Sequence, residues 1–318
     1  MADTIYLIDA YAQIYRGYFA MPPLSNAAGQ PTSAVFAFGK FLLGLEKEHA
    51  PRLGAVVFDV GKPAHRLALS PEYKAQRPPM PDDLKAQTPV IHDWLVAAGW
   101  PIVEWEGTEA DDLIAALAAN FADHPVRIIS ADKDLCQLID DRVRMLVPEK
   151  KGGFSCRGVA EVVSKFAVRP DQVVDYLALI GDVSDNIPGV EGVGPKTAAK
   201  LVGQFGSIEA LLARLHEVGN ENLRNRLQAA AERLSVNRRL IRLDAVLPDP
   251  AMATPLAITR RTPDWERLLA LAGELELHSL VRELKILREK ASDRVPAVSP
   301  PPPPKPAAPV GFTPDLFG

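Results

Sequence analysis

Short apolar and β-branched runs alternate with helix-period segments through the first half of the chain. Ile5-Tyr6-Leu7-Ile8, Ala55-Val56-Val57-Phe58, Ile102-Val103, Val126-Arg127-Ile128-Ile129 and Val143 to Val147 read as strands. Between them, Thr32 to Leu45, Asp83 to Ala98 and Glu109 to Phe121 have the apolar spacing of helices. This alternation predicts an α/β fold with a mostly parallel central sheet flanked by helices, and such sheets carry their active sites at strand C-terminal ends. From about Gly158 the strand signals fade and amphipathic helices take over, including Pro170 to Ile180, Ser207 to Leu215 and the run through Leu287. No tandem period of solenoid type is present. After Lys290 the composition shifts to Pro, Ala and Ser, with Pro300 to Pro304, which predicts an extended, disordered tail. The expected organisation is an α/β core over 1–157, a helical region over 158–290 and a proline-rich tail over 291–318.

The strands end in acids. Asp9 follows Ile5–Ile8, Asp59 follows Val56-Val57-Phe58, and Val126 to Ser130 runs into Ala131-Asp132-Lys133-Asp134. A single Asp after a strand is usually a helix cap, but three neighbouring strand ends would aim their acids at one place. Thr108-Glu109-Ala110-Asp111 has the form of a capping box, which gives Asp111 a structural reading. Glu109 and Asp112 are left over; at i, i+3 they share a face of the first helical turn, and acids this close repel unless a cation compensates them. Asp182 and Asp185 add a pair at the same spacing, in a stretch whose composition also suits a turn. Oxygen ligands without clustered His or Cys select Mg2+ or Mn2+. Two such ions about 4 Å apart activate a water and stabilise a leaving oxygen, so the expected chemistry is phosphodiester hydrolysis.

Two basic features accompany the acids. Gly189, Gly192 and Gly194 precede a helix opened by Pro195, so backbone N–H groups and the helix N-terminus can cradle an anion, with Lys196 and Lys200 neutralising phosphate and Thr197 beside them. The GxxxxGK[ST] spacing of a nucleotide-binding loop is missing. Residues 62–81 interleave basic, aromatic and proline positions, as suits a mobile element over a site. There Tyr73 is placed to stack on a base, and Lys74 and Arg77 to meet a scissile phosphate.

Composition changes the picture in one respect. The net charge is −4 and the pI about 5.9, which argues against a nucleic-acid partner. Removing nine clustered carboxylates from −4 leaves +5, a modestly basic surface around an acidic hole. Cys136 and Cys156 lack metal-binding spacing and read as ordinary thiols of a reducing cytoplasm. No secretory leader is recognisable, and no apolar run reaches the roughly 18 residues of a membrane span.

Taken together, these motifs resemble the 5′-to-3′ exonuclease domain of bacterial DNA polymerase I and its flap endonuclease relatives. The resemblance covers Ile5 to Leu287 and rests on Asp9 with Tyr15-Arg16, Gly29-Gln30-Pro31-Thr32, Phe58-Asp59, Tyr73 to Pro81, Glu109 to Asp112, Asp132 to Leu135, and Gly181-Asp182 to Ala198. It implies a PIN-like nuclease core with a helix-three-turn-helix DNA-binding region. It also implies one metal ion among Asp9, Asp59, Glu109 and Asp111 and a second among Asp112, Asp132, Asp134, Asp182 and Asp185. Lys74 and Arg77 take catalytic positions in an arch at 62–81. Arg16, Arg66 and Tyr73 contact DNA, as do Gly189, Gly192, Gly194, Lys196, Thr197 and Lys200, and a K+ ion is expected at this last element. The implied substrates are DNA with 5′ flaps, nicks or ends, and the RNA of an RNA–DNA hybrid.

The sequence departs from the family pattern at His65, Ala68 and Ser70, which bears on how the arch orders. The polymerase portion that commonly follows is absent, so the chain reads as a stand-alone nuclease, with a monomer as the default. Asp315-Leu316-Phe317 is similar to the end of the peptide by which replication proteins dock on the sliding clamp, although Thr313 stands where Gln is usual. Two other classes share parts of this pattern: a silent branched-DNA-binding module, disfavoured by the full acid set, and a PIN-like ribonuclease, disfavoured by the hairpin loop.

Overall fold

The computed structural model describes residues 2–149, 152–243 and 246–292, leaving out the side chain of Ser292. The tail, with Asp315-Leu316-Phe317, lies outside the described residues.

A six-stranded sheet holds β1 (Ile5–Asp9), β2 (Leu53–Val57), β3 (Ile102–Val103), β4 (Val126–Ile129), β5 (Val143–Pro148) and β6 (Phe154–Arg157) in the order β3-β2-β1-β4-β5-β6. The first five are parallel, and β6 runs antiparallel at the edge. The chain moves outward from β1 to β3, then returns to lay β4 on the other side of β1. The strand order therefore reverses between β1 and β4, and a crevice opens at their C-terminal ends. Alternate residues face opposite sides: Ile5 and Leu7 enter one apolar cluster, Tyr6 and Ile8 the other. Both sides are covered, so the strands carry the continuous apolar character from which they were recognised. Truncating a fully buried Leu7 to Ala would cost about 2–5 kcal/mol.

Helices α1 (Ala10–Ala20), α2 (Ser33–His49), α3 (Ala64–Leu69), α4 (Asp82–Ala97) and α5 (Ala110–Asn120) connect the strands, and α6 (Val159–Phe166) and α7 (Val173–Ile180) follow the sheet. A two-residue ladder, β7 (Gly181–Asp182) with β8 (Ile187–Pro188), leads into α8 (Pro195–Phe205), α9 (Ile208–Ala213), α10 (Glu221–Ala229) and α11 (Ala231–Ile241). The chain then returns through α12 (Pro255–Ile258), α13 (Trp265–Glu274) and α14 (His278–Ser292). Residues of α7, α8 and α11 share the cluster of Leu7 and Leu113, while Leu268, Leu280 and Leu284 of α13 and α14 join Phe38 and Trp94 on the other face.

Three local features differ from the sequence expectations. Helix α1 and strand β6 were not expected; β6 exists because Gly152 and Gly153, with φ of 89° and 80°, let the chain reverse beside Glu149. The capping box at Thr108 does not form. Glu109 is the N-cap of α5 but makes no capping bond, and the Ala110 N–H instead donates to Asp59 Oδ1 at 3.1 Å. A neighbouring strand's acid does the work of a local cap, because the side chain of Glu109 is drawn to cations on the arch.

Candidate active site

Asp9 ends the central strand and caps α1, accepting from Ala12 N at 3.1 Å, so its usual structural role is real. Its other oxygen accepts from Ser130 Oγ at 2.9 Å, and that hydroxyl accepts from Asp132 N at 3.1 Å. The ends of β1 and β4 are thereby pinned together. Burial, then the Asp59 carboxylate, pushes the Asp9 carboxyl up to about 7. Burial followed by Asp132, Asp9 and Asp59 holds Asp111 well above the usual carboxylate range. Asp134 is pushed up to about 8 by burial and by Asp132, Asp185 and Asp182, and its Oδ1 is buried without a hydrogen-bond partner. Asp182 behaves in the opposite way. Burial raises it, but hydrogen bonds from Ser184 and Lys133 and the Lys133 charge outweigh that, and the net direction is down.

Asp134, Asp182 and Asp185 each offer an oxygen within 4.8 Å of the others, the only such trio among the described residues. They line a cleft of about 440 Å3 with Asp111 and Asp132. Five acids around one small space, one with an orphaned oxygen, suit a hard divalent cation. Lys133 and Lys165 line the same cleft; sequence patterning did not single them out, because a lone Lys on a helix or turn carries no spacing signal. Burial, then Arg157, lowers the Lys165 pKa.

On one side of the cleft stand Lys74 and Arg77. Lys74 Nζ donates to Glu109 Oε1 at 2.5 Å and lies 3.8 Å from Asp185, and Arg77 Nη2 donates to Asp185 Oδ1 at 2.7 Å. Arg66 and Tyr73, expected at the DNA surface, are instead buried at 2% and 6% exposure. The Arg66 guanidinium grips Asp112 in a fork at 2.5 and 2.8 Å, pairs with Glu109, and donates to Leu240 O at 2.9 Å and Arg242 O at 3.3 Å. These are carbonyls at the end of α11, which the helix itself leaves without partners. A guanidinium so engaged has no face left for a phosphate. Asp112, expected on the second metal, is turned toward Arg66 and does not line the cleft. Tyr73 Oη donates within 3.2–3.4 Å of Asp185 and Glu109. Arg16 donates to Pro148 O at 2.6 Å and is half-buried.

The glycine hairpin begins directly after β8, so the ladder that carries Asp182 leads straight into Gly189. Gly181 and Gly189 lie back to back: a Cβ on Gly189 would meet Ile180 O at 2.3 Å. Val190 N donates to Leu179 O at 2.8 Å, and Asn237 Nδ2 clamps Pro188 O at 2.9 Å. Gly194 is the N-cap of α8 and Pro195 its first residue, leaving Lys196 and Lys200 exposed, Thr197 half-buried and Gly192 at the surface. Arg226 lies against Gly192 and Arg233 donates to Gly189 O at 3.1 Å. Both come from helices distant in sequence and were not anticipated.

Comparison with known proteins decides the family. Residues 4–167 match the 5′-3′ exonuclease N-terminal resolvase-like domain, and residues 168–264 match the 5′-3′ exonuclease C-terminal SAM fold. The chain is 40% identical to the 5′-3′ exonuclease of Aquifex aeolicus over 92% of its own length and 98% of that protein. It belongs to the 5′-3′ exonuclease family. This exonuclease is also 39% identical to the thermostable DNA polymerase I of Thermus thermophilus, over 97% of its own length but 36% of the polymerase. Its fold is that of the bacteriophage T5 flap endonuclease solved as a pseudo-enzyme-product complex with DNA and metal ions, with a TM-score of 0.62 and 22% identity over 91% of this chain and 99% of the other. The chain is thus a nuclease with a PIN-like sheet and a helical second half.

A larger cleft of about 660 Å3 in this exonuclease is walled by Trp94, Trp100 and Trp265. It opens beside the residues that enter β2 and β3, at the other end of the sheet from the acids, and has no trio of converging carboxylates. Among the described residues no helix is long and apolar enough to cross a membrane.

Proposed function

We propose that the protein is a Mg2+-dependent, structure-directed 5′ nuclease that hydrolyses DNA at flaps, nicks and ends, and the RNA strand of RNA–DNA hybrids, in primer removal and repair. One observation carries the reading: the cleft of Asp111, Asp132, Asp134, Asp182 and Asp185 is faced by Lys74 and Arg77 and lies one short ladder away from the glycine hairpin. Mg2+, or Mn2+ in its place, would supply a metal-bound water and charge neutralisation at the leaving oxygen. Asp134, Asp182 and Asp185 would hold one ion; Asp111 and Asp132, with Asp9 and Asp59 behind them, would hold the other.

The protein's own residues then do the rest. Lys74 and Arg77 turn from Glu109 and Asp185 toward the scissile phosphate and stabilise its developing charge. The exposed Lys196, Lys200 and N–H groups of α8 hold the duplex by its backbone without reading sequence, together with Gly189, Gly192, Gly194, Thr197 and a K+ ion at that turn. Arg16 contacts a phosphate at the mouth. Residues 1–157 form the nuclease core and 158–290 hold the duplex, with Asp182 and Asp185 of the second region completing the metal cleft. The protein works as a cytoplasmic monomer, and Asp315-Leu316-Phe317 docks on the sliding clamp.

The test is a 5′-labelled double-flap duplex in Mg2+, beside a chelator control and Asp132→Ala. Mg2+-dependent cutting at the flap base, abolished in the variant, is expected. Tight binding without cutting under every divalent ion would leave only a branched-DNA-binding module. Deleting residues 308–318 is expected to abolish clamp capture in a pull-down.

A further inference from the structure

Residues 72–77 of the arch and residues 183–186 after β7 are joined by hydrogen bonds that involve no carboxylate. Lys74 N donates to Asp185 O at 3.0 Å, Asn186 Nδ2 to Glu72 O at 2.7 Å, Gln76 Nε2 to Val183 O at 2.6 Å, and Arg77 Nε to Ser184 O at 3.2 Å. The other ties of this stretch are the contacts of Tyr73, Lys74 and Arg77 with the carboxylates of Glu109 and Asp185, which a substrate phosphate would compete for, while Glu72, Ala75, Gln76 and Arg77 are exposed.

Each side of this clasp carries a residue in left-handed backbone conformation, Lys74 with φ 54° and Asn186 with φ 58°. Asn enters that region readily and Lys does not, so Lys74 remains there because its neighbours hold it. The turn at Lys74 is also what brings its ammonium to Glu109 and Asp185 and places Arg77 on Asp185. The loop on the other side of the clasp carries Asp182 and Asp185, two of the three converging acids.

We propose that Asn186 and Gln76 are positioning residues: by spending their side-chain amides on backbone carbonyls across the clasp, they make the arch cations and the acidic loop move as one body. The inference rests on the reading of Lys74 and Arg77 as the groups that act on the scissile phosphate. Neither amide reaches an acid of the cleft, so both act through Lys74 and Arg77. Cations on a mobile arch would otherwise lose orientation each time a substrate strand enters, and a displacement of about 1 Å costs on the order of 10²-fold in rate.

The experiment uses the full chain carrying Asn186→Gly with Gln76→Ala; glycine accepts the left-handed backbone while the side-chain amide is removed. Both side chains are exposed, so the thermal midpoint is expected to hold. On a 5′-flap duplex in Mg2+, kcat falls about tenfold with KM unchanged, the scale on which two net hydrogen bonds shift a local equilibrium. Mn2+ affinity measured by calorimetry without DNA stays at the wild-type value, and exchange of the Lys74 amide hydrogen accelerates. In a Lys74→Ala background the further loss shrinks to under about threefold, because the group to be positioned is gone. Gln76→Ala alone loses about threefold by the same reasoning. An undiminished kcat in the double variant, or equal losses with and without Lys74, overturns the proposal while leaving the nuclease reading intact. A wild-type protein that cuts nothing would remove that reading and this inference with it.

Discussion

Two groups of acids lie side by side in this protein and have opposite electrostatic fates. Glu109, Asp112 and Asp185 are met by Arg66, Lys74 and Arg77 at short distance, with the Arg66 contacts buried and Arg77 half exposed. Asp9, Asp111 and Asp134 face chiefly other carboxylates, with Asp132 common to all three, and burial with that repulsion raises them. The first group is a joint between α3, α5, α11 and the loop after β7, from which Asp185 also reaches the acidic cleft. The second stores repulsion that a divalent cation relieves. Identity and spacing of the acids do not separate the groups; the presence of a cation within reach does.

The largest expected effect breaks the paired group. Arg66→Ala leaves Glu109 and Asp112 buried without their guanidinium and frees two carbonyls at the end of α11, a loss of about 3–5 kcal/mol. Urea unfolding of the metal-free protein measures it, and a loss under about 1 kcal/mol, the range of an exposed pair, would mean that the joint is solvated. Next comes the unpaired group. Asp134→Asn lowers kcat in Mg2+ by about 10²–10³-fold, yet raises the thermal midpoint of the chelated protein above about pH 8, where the carboxyl is ionised, because it removes a charge that the fold does not compensate. A fall in both quantities would place Asp134 in the structural joint instead.

The third effect sharpens the contrast through pH. Asp9 and Asp134 have folded pKa values raised to about 7 and about 8, above their unfolded values near 3.8. The stability they contribute is therefore fully present below about pH 4 and is lost as pH rises through 7 to 8. Thermal melts in chelator are expected to fall over that window, and Mg2+ to flatten the dependence. Mn2+ titrated at pH 6.5 releases protons, and the release shrinks as the pH rises past 8, as buffer-matched calorimetry would record. The smallest effect lies farthest from both groups. Lys196→Ala and Lys200→Ala each reduce the salt slope of duplex binding by about 1, equally for all sequences, with kcat unchanged. A sequence-dependent loss in filter binding would contradict backbone recognition.

Much of this was legible in the chain. The strand at Val126–Ile129 coincides with its predicted run, and the acids after β1, β2 and β4 were readable because strands have simple apolar signatures and Asp marks their ends. The glycine hairpin was readable because its turns need residues without a Cβ. Strand β6 was not, since Phe154-Ser155-Cys156-Arg157 has three polar or exposed positions on an edge that needs no apolar pattern. Arg226, Arg233 and Lys165 were missed for a related reason: a cation distant in sequence announces nothing about the turn or cleft it will face.

The sequence by itself determined the α/β core, the acids at its strand ends and the glycine hairpin, all of which depend on residues close together in the chain. Only the tertiary structure decided which acids are neutralised. Arg66 lies 43 positions from Glu109 and 46 from Asp112, and Arg77 lies 108 from Asp185. Whether such charges meet is set by how α3, α5 and the ladder of β7 with β8 pack together. Coulomb energies depend on that distance and on burial, neither of which is written in the order of residues.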